Sequence, residues 1–201
     1  MFSLKKKSTP ILGIDISATA IKLLELSQSG SKYRVESYAV EPLPANSVSE
    51  KTINDIEQVG EAVARAVKKA GTKTKKAAVA VAGSSVITKV ISMPSGLSDD
   101  EMESQIQIEA DQYIPFPLEE VAMDFEVIGD SIDGADRVDV LLAASRSEVV
   151  DNVVAAIELG GLTAKVVDIE AFAVENAVEL ITRDFTVGTS TEAIAIADVG
   201  S

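Results

Sequence analysis

Two aspartates in nearly matching settings mark where this chain has the residues for chemistry. Near the start, Ile11-Leu12-Gly13-Ile14-Asp15-Ile16-Ser17-Ala18-Thr19 runs on to Lys22. At the finish the sequence reads Ala193-Ile194-Ala195-Ile196-Ala197-Asp198-Val199-Gly200-Ser201. Each reads as an apolar strand that delivers an acid into a tight turn of small residues. Such an acid holds Mg²⁺ through water, because Mg²⁺ keeps several of its waters and takes few direct carboxylates. The N–H groups of Ser17, Ala18 and Thr19 would point into the first turn and bind phosphate oxygens. Two such turns facing each other clasp a Mg²⁺–polyphosphate, with Asp15 on one side and Asp198 on the other. The plainer alternative is that Asp15 closes a turn and Lys22 points to solvent, since Asp and Ser are common turn residues. The second copy occupies the last residues, so the sequence reads as one half of a two-lobed nucleotide binder whose second lobe is truncated.

Composition narrows the chemistry. The 201 residues contain no cysteine and no histidine. Disulfides, thiolate metal sites, Ser-His-Asp chemistry and His-ligated metals are therefore excluded. Carboxylates, hydroxyls, Lys, Arg and backbone N–H groups remain. The net charge of −14 opposes a nucleic-acid partner. No run approaches the roughly 18 apolar residues of a membrane span. Met1-Phe2-Ser3-Leu4-Lys5-Lys6-Lys7 has basic residues but no apolar stretch after them, so it is no signal peptide and the expected compartment is the cytoplasm.

The elements that must position these residues follow from periodicity. Ile11–Asp15, Ala20–Leu26 and Tyr33–Val40 read as a three-stranded meander. Ile53–Ala70 reads as a helix with Ile53, Ile56, Val59, Val63, Ala66, Val67 and Ala70 on one stripe, ended by Gly71. Ala77–Ala82 is a fully apolar strand. A second block follows. Val86–Met93 is a strand, and Ser98-Asp99-Asp100-Glu101 is a capping box whose loss at Ser98 costs about 1 kcal/mol. Its helix carries Met102, Ile106, Ala110 and Tyr113 and ends at Pro115-Phe116-Pro117. Ala122–Ile128 and Val138–Ser145 are strands, and Ser145-Arg146-Ser147-Glu148 reads as another capping box before a helix that stops at Gly160-Gly161. Then come a buried strand, Ala164–Val167, Asp168 as a helix cap, and a helix Glu170–Arg183 with Phe172, Val174, Ala177, Val178 and Ile181 inward. The expected organisation is a tail over 1–9, a main α/β subdomain over 10–83 and 162–185, an inserted α+β subdomain over 84–161, and a linker with the first strand of the next lobe over 186–201.

That order resembles an actin-like, ribonuclease H-like lobe with an insertion. The stretches Gly13-Ile14-Asp15-Ile16-Ser17, Ala78-Val79-Ala80-Val81-Ala82-Gly83, Ile108-Glu109-Ala110-Asp111-Gln112-Tyr113-Ile114-Pro115, Asp139-Val140-Leu141-Leu142-Ala143-Ala144-Ser145-Arg146 and Thr163-Ala164-Lys165-Val166-Val167-Asp168 resemble the PilM family. This is the cytoplasmic, actin-like family of type IV pilus assembly, similar in fold to the cell-division protein FtsA. The resemblance covers about Pro10 to Ser201. It implies ATP with Mg²⁺ between two lobes, little or no hydrolysis, and attachment at the inner membrane through partners. It also implies that the N-terminal tail of the membrane protein PilN lies in a groove between the main lobe and the insertion, linking the alignment complex to the assembly motors.

The family pattern gives the residues their implied roles. Gly13, Asp15, Ser17, Ala18, Thr19 and Lys22 match the first phosphate loop, with Lys22 seven residues after Asp15 where actins place a phosphate-contacting lysine. Asp198, Gly200 and Ser201 match the second, and Asp15 and Asp198 the Mg²⁺ positions. Actin-like proteins usually carry Gly where this chain has Ser17, whose hydroxyl offers a hydrogen bond instead. Glu170 stands where actin-like ATPases orient the attacking water; as a first-turn acid it equally suits the helix dipole. Tyr113 and Phe116 could form the lip of a peptide groove, or a rigid turn packed on the core. With the second loop terminal, this chain alone is expected to bind ATP weakly or not at all. Two rival readings stand beside the adaptor. An actin-fold phosphotransferase would need a general base, but Asp99, Asp100 and Asp124 read as caps or strand ends. A self-assembling filament protein like FtsA is the other.

Overall fold

The computed structural model describes residues 10–182 and 195–197. In chain order it has β1 (Leu12–Ile16), β2 (Ala20–Ser29), β3 (Lys32–Pro42), β4 (Val48–Ser49), β5 (Thr52–Ile53), α1 (Ile56–Ala70) and β6 (Lys76–Val81). Then come β7 (Val86–Pro94), α2 (Asp99–Ala110), β8 (Val121–Asp130), β9 (Arg137–Arg146), α3 (Ser147–Leu159), β10 (Thr163–Ile169) and α4 (Glu170–Thr182). The chain forms two compact units. One runs up to Val81 and resumes at Asn152; the other is Ala82–Asp151.

The first unit is built on a five-stranded sheet in the order β10-β6-β1-β2-β3. β1, β2 and β3 form an antiparallel meander, whereas β6 and β10 run parallel to β1. This is the strand order of an actin-like lobe, as the resemblance implied. Alternation along each strand sorts the faces. Leu12, Ile14, Ile21, Leu23, Ala77, Val79 and Val81 are buried, and α1 lays Val59, Ala62, Val63 and Ala66 in the core beside them. Each aliphatic side chain fully removed from water there contributes about 1.5–3 kcal/mol. Gly13, Asp15, Lys22 and Leu24 point to the opposite, more exposed face.

The start of α1 corrects the sequence reading. Ile53 belongs to β5, because Asp55 caps the helix: its Oδ1 accepts from Gln58 N at 2.9 Å and its Oδ2 from Gln58 Nε2 at 2.7 Å. The preceding residues form a β4–β5 hairpin. Buried Ser47 fastens it, its hydroxyl lying 2.9 Å from Pro44 O and 2.8 Å from Gln58 Oε1. At the other end Gly71 takes φ 67° and its N–H reaches Val67 O and Lys68 O.

α3 crosses α1 at two glycines. A Cβ on Gly60 would stand 2.5 Å from Leu159 Cβ, and one on Gly160 would stand 2.3 Å from Val63 Cγ1 and 2.7 Å from Val63 Cβ. The helices therefore approach more closely than any side chain there would allow.

Glu25 closes the β2 side of this unit. Its carboxylate accepts from Thr74 Oγ1 at 2.6 Å, Thr72 Oγ1 at 2.7 Å and Ser37 Oγ at 3.0 Å. The Thr74 hydroxyl first, then Thr72 and Ser37, hold its pKa below the ordinary 4.5. A depressed carboxylate stabilises the fold above its unfolded pKa, and that share is lost as pH falls through the folded value. Glu25→Gln is thus expected to lower the urea midpoint at pH 7, with the gap to the parent shrinking below pH about 4. An equal gap at pH 7 and pH 3 would count against the linkage.

The second unit is a three-stranded antiparallel sheet, β7-β9-β8, with α2 against one face. Ile91, Met93, Val140, Leu142 and Ala144 meet Met102, Ile106 and Ala110 in one core. Ser98 and Glu101 form the expected capping box, and Leu97 packs against the core. Two caps are corrected. β9 continues through Arg146, so Ser145 is a buried strand residue whose hydroxyl donates to Ser85 O at 2.9 Å. Asp168 likewise lies in β10 and accepts from Ile169 N at 2.7 Å, with α4 beginning at Glu170. In α4, Phe172, Val174 and Val178 are half-buried and Ala177 is exposed. No helix among the described residues is long and apolar enough to cross a membrane.

Candidate functional site

Open sheets with parallel strands collect ligands beyond the carboxyl ends of those strands. β1, β6 and β10 end side by side in the first unit. β10 pairs Asp168 with Ala80, and β1 pairs Ile14 with Val79, so Asp15 and Asp168 reach the same level on either side of β6. Asp15 and Asp168 occupy the same face of the sheet, with small Ala80 between them.

Asp15 does not stand alone. Lys22 is its direct cross-strand partner, with Nζ 2.9 Å from Asp15 Oδ2, both side chains more than half exposed. The hairpin register explains the seven-residue spacing. Between them Ser17 closes the turn: its N–H donates to Ala20 O at 3.0 Å, its hydroxyl to the same oxygen at 2.9 Å, and Ala20 N–H donates back to the hydroxyl at 3.2 Å. Both Ser17 donors are thus engaged within the turn. The Ser17 N–H, one of those expected to face phosphate, is therefore taken up by the turn itself. Gly13 lies two residues before Asp15, and a Cβ there would meet only Leu24 O at 3.8 Å, so close packing does not require glycine. The charges suit a hydrated Mg²⁺–polyphosphate: an accessible carboxylate for the metal's waters and an ammonium for a phosphate oxygen.

Glu170, at the first position of α4, receives Lys51 Nζ at 2.8 Å and 3.0 Å on its two oxygens. Lys51 arrives from the tip of the β4–β5 hairpin, where Glu50 has φ 49° and Lys51 φ 65°. Two consecutive positive φ values are the signature of a type I′ turn, which favours Asn-Gly. Holding an ordinary side chain in that region costs about 1–2 kcal/mol per residue. An exposed ion pair returns roughly 0–1 kcal/mol. The ion pair taken by itself is smaller than the strain of its turn.

In the second unit, Tyr113 is 37% exposed and Phe116 packs on the core beside Leu118 and Val121. Each ring carries a cation: Lys89 Nζ lies 5.4 Å from the Tyr113 centroid, and the Arg146 guanidinium carbon 4.3 Å from that of Phe116. Cation–π contacts of this kind contribute about 0.5–1 kcal/mol when exposed. Phe116 is thus a packed turn residue, while Tyr113 offers an accessible ring.

Asp15 stands at the end of β1, Lys22 opposite it on β2, and Glu170 directly after β10. Lys51 belongs to no sequence motif, and Asp168, expected as a helix cap, is a strand residue. The row of Asp168 was hidden by a bulge between Ala164 and Val166. Of the second loop, Ala195–Ala197 is exposed and has no regular structure. Asp198, Gly200 and Ser201 lie outside the described residues, as does the 1–9 tail.

The family model for type IV pilus assembly protein PilM matches residues 13–201. The chain belongs to the PilM family. Among solved structures, the PilM-PilN type IV pilus biogenesis complex matches with a TM-score of 0.74 and 29% identity, over 84% of this chain and 50% of that one. The chain therefore spans half the length of that PilM-family relative. The cytoplasmic domain of EpsL, an inner-membrane component of the type II secretion system of Vibrio cholerae, matches at TM-score 0.49 and 16% identity, over 79% of this chain and 57% of that one. A protein with an actin-like ATPase fold from Bacteroides thetaiotaomicron matches at 0.42 and 9%, over 92% and 61%. Those two are distant likenesses and carry no argument about this chain.

Proposed function

We propose that this PilM-family chain serves type IV pilus biogenesis by docking the N-terminal tail of a PilN-type inner-membrane protein, with bound nucleotide setting the docked state. The observation that carries the reading is the 29% identity over 84% of the chain to a PilM partnered by PilN. Through that tail the protein sits in the cytoplasm at the inner membrane and connects the alignment complex to the assembly motors. In the second unit, Tyr113 is the accessible ring of the peptide site and Phe116 holds the turn beneath it. At the sheet edge of the first unit, Asp15 would hold Mg²⁺ through its waters, and Lys22 with the Ala18 and Thr19 amides would hold phosphate. Mg²⁺–ATP would supply the polyanion for this edge, where Glu170 would position a water.

Titration of a PilN-type tail peptide tests the docking role. Tyr113→Ala is expected to weaken binding about tenfold or more, the loss of one aromatic hot spot, with the fold intact by circular dichroism. Phe116→Ala should weaken it less directly and lower stability as well. Unchanged affinity in the Tyr113 variant would remove that corner from the peptide site.

A further inference from the structure

Lys51 reaches the carboxyl edge without belonging to any sequence motif. The β4–β5 hairpin lies in sequence between β3 and α1, yet its tip lands on the first residue after β10, 119 positions away. The tip is Glu50-Lys51, both at positive φ, where Asn-Gly would form the turn without strain. The hairpin beneath is firmly built. Asn54 Nδ2 donates to Asn46 O at 3.0 Å and to Ser49 Oγ at 2.7 Å, and Ser47 anchors it to α1. The hairpin thus holds an ammonium at the edge from a turn at positive φ. Persistent strain of this kind clusters at functional positions.

The edge repeats one device twice. Asp15 is met by Lys22, and Glu170 by Lys51. Both lysines are about half exposed, so a solute can reach them. A polyphosphate carries more charge than a single carboxylate and offers several acceptor oxygens, so it competes for both ammonium groups. Asp15, Asp168 and Glu170 leave the edge net acidic, so an anion gains there by taking the two lysines from their carboxylates.

We infer that Lys51 is a second phosphate-binding lysine of the sheet edge: its ammonium rests on Glu170 and transfers to a phosphate oxygen of a nucleoside triphosphate, releasing the Glu170 carboxylate. This rests on the reading of the Asp15 edge as a nucleotide site. The alternative is a surface ion pair that only tethers the hairpin. The two differ in what Lys51 does for affinity and in whether arginine replaces it.

The test uses the full-length protein with Mg²⁺–ATP and, separately, inorganic tripolyphosphate, followed by calorimetry. Lys51→Met is expected to weaken both ligands by at least about tenfold, the effect of losing one charge-assisted hydrogen bond. The factor should be similar for the two ligands, since Lys51 would touch only phosphate, and Lys51→Arg should restore most of the affinity. Should Lys51→Met unfold the protein, the parent itself answers: acetylation of Lys51 by acetic anhydride, read by mass spectrometry, is expected to fall at saturating tripolyphosphate. Unchanged labelling at saturation overturns the inference. Lys51→Met binding like the parent, while Lys22→Met does not, also overturns it and leaves the edge as a nucleotide site. A parent that binds neither ligand overturns the edge reading and this inference together.

Discussion

Gly160→Ala is expected to destabilise the protein by about 3 kcal/mol, the upper part of the usual overpacking range. The added methyl would stand 2.3 Å from Val63 Cγ1 and 2.7 Å from Val63 Cβ. A rotamer change can move the first atom but not the second, because Cβ is fixed by the backbone of α1. Val63 is wholly buried, so it has no empty space to move into. The helices must separate instead, loosening the close approach of Leu159 to Gly60 as well. Gly71→Ala makes the informative contrast. Gly71 has φ 67° but nothing within 4 Å of its Cβ position. Its substitution should cost about 1–2 kcal/mol from backbone strain alone. Urea unfolding at pH 7 checks both, with midpoints shifted and slopes unchanged. A Gly160→Ala protein no weaker than Gly71→Ala would show that α1 and α3 can part without loss.

Ile106→Ala should cost about 2–5 kcal/mol, the range for deleting a large aliphatic group from a tight core. Ile106 is fully buried among Met102, Val140, Leu142 and Ala144. The side chains of this cluster are apolar, so the lining of the space left behind loses its contacts outright. Hydrogen exchange should report the damage in β7, β8, β9 and α2. Ile108→Ala, two residues on, is the control: Ile108 is 73% exposed and its loss should fall within about 0.5 kcal/mol. If the two variants unfold alike, α2 is not the lid of this core.

Most elements were legible because burial on one face imposes a period. The meander, α1, the capping box of α2 and the paired strands β8 and β9 all announce themselves by alternation or by caps. What the sequence hid was local competition. Asp55 stops α1 from reaching back to Ile53, since a carboxylate that binds Gln58 N–H outweighs one more apolar residue on the stripe. Ser145 resembled a cap because Ser-x-x-Glu fits the pattern, but its backbone is held by pairing on both sides, to Val86 and Ala122. The β4–β5 hairpin was missed because Glu50-Lys51 carries no turn signature at all. Asp15 and Lys22 were legible as a spacing, and their ion pair supplies the reason. Asp168 and Lys51 were not, since each is placed by contacts far away in sequence.

The irregularity in β10 bears on how the chain tolerates changes in length. Ala164 opposes Ala77 and Val166 opposes Ala78, so Lys165 is a surplus residue that pairs with nothing. A chain lacking Lys165 would run straight through the same partners and leave Asp168 beside Ala80. A chain that kept Lys165 but flattened the strand would instead carry Asp168 onto Val81's buried side, an acid among aliphatics. Register therefore keeps Asp168 beside Ala80 when Lys165 is lost and misplaces it when Lys165 is drawn into the ladder.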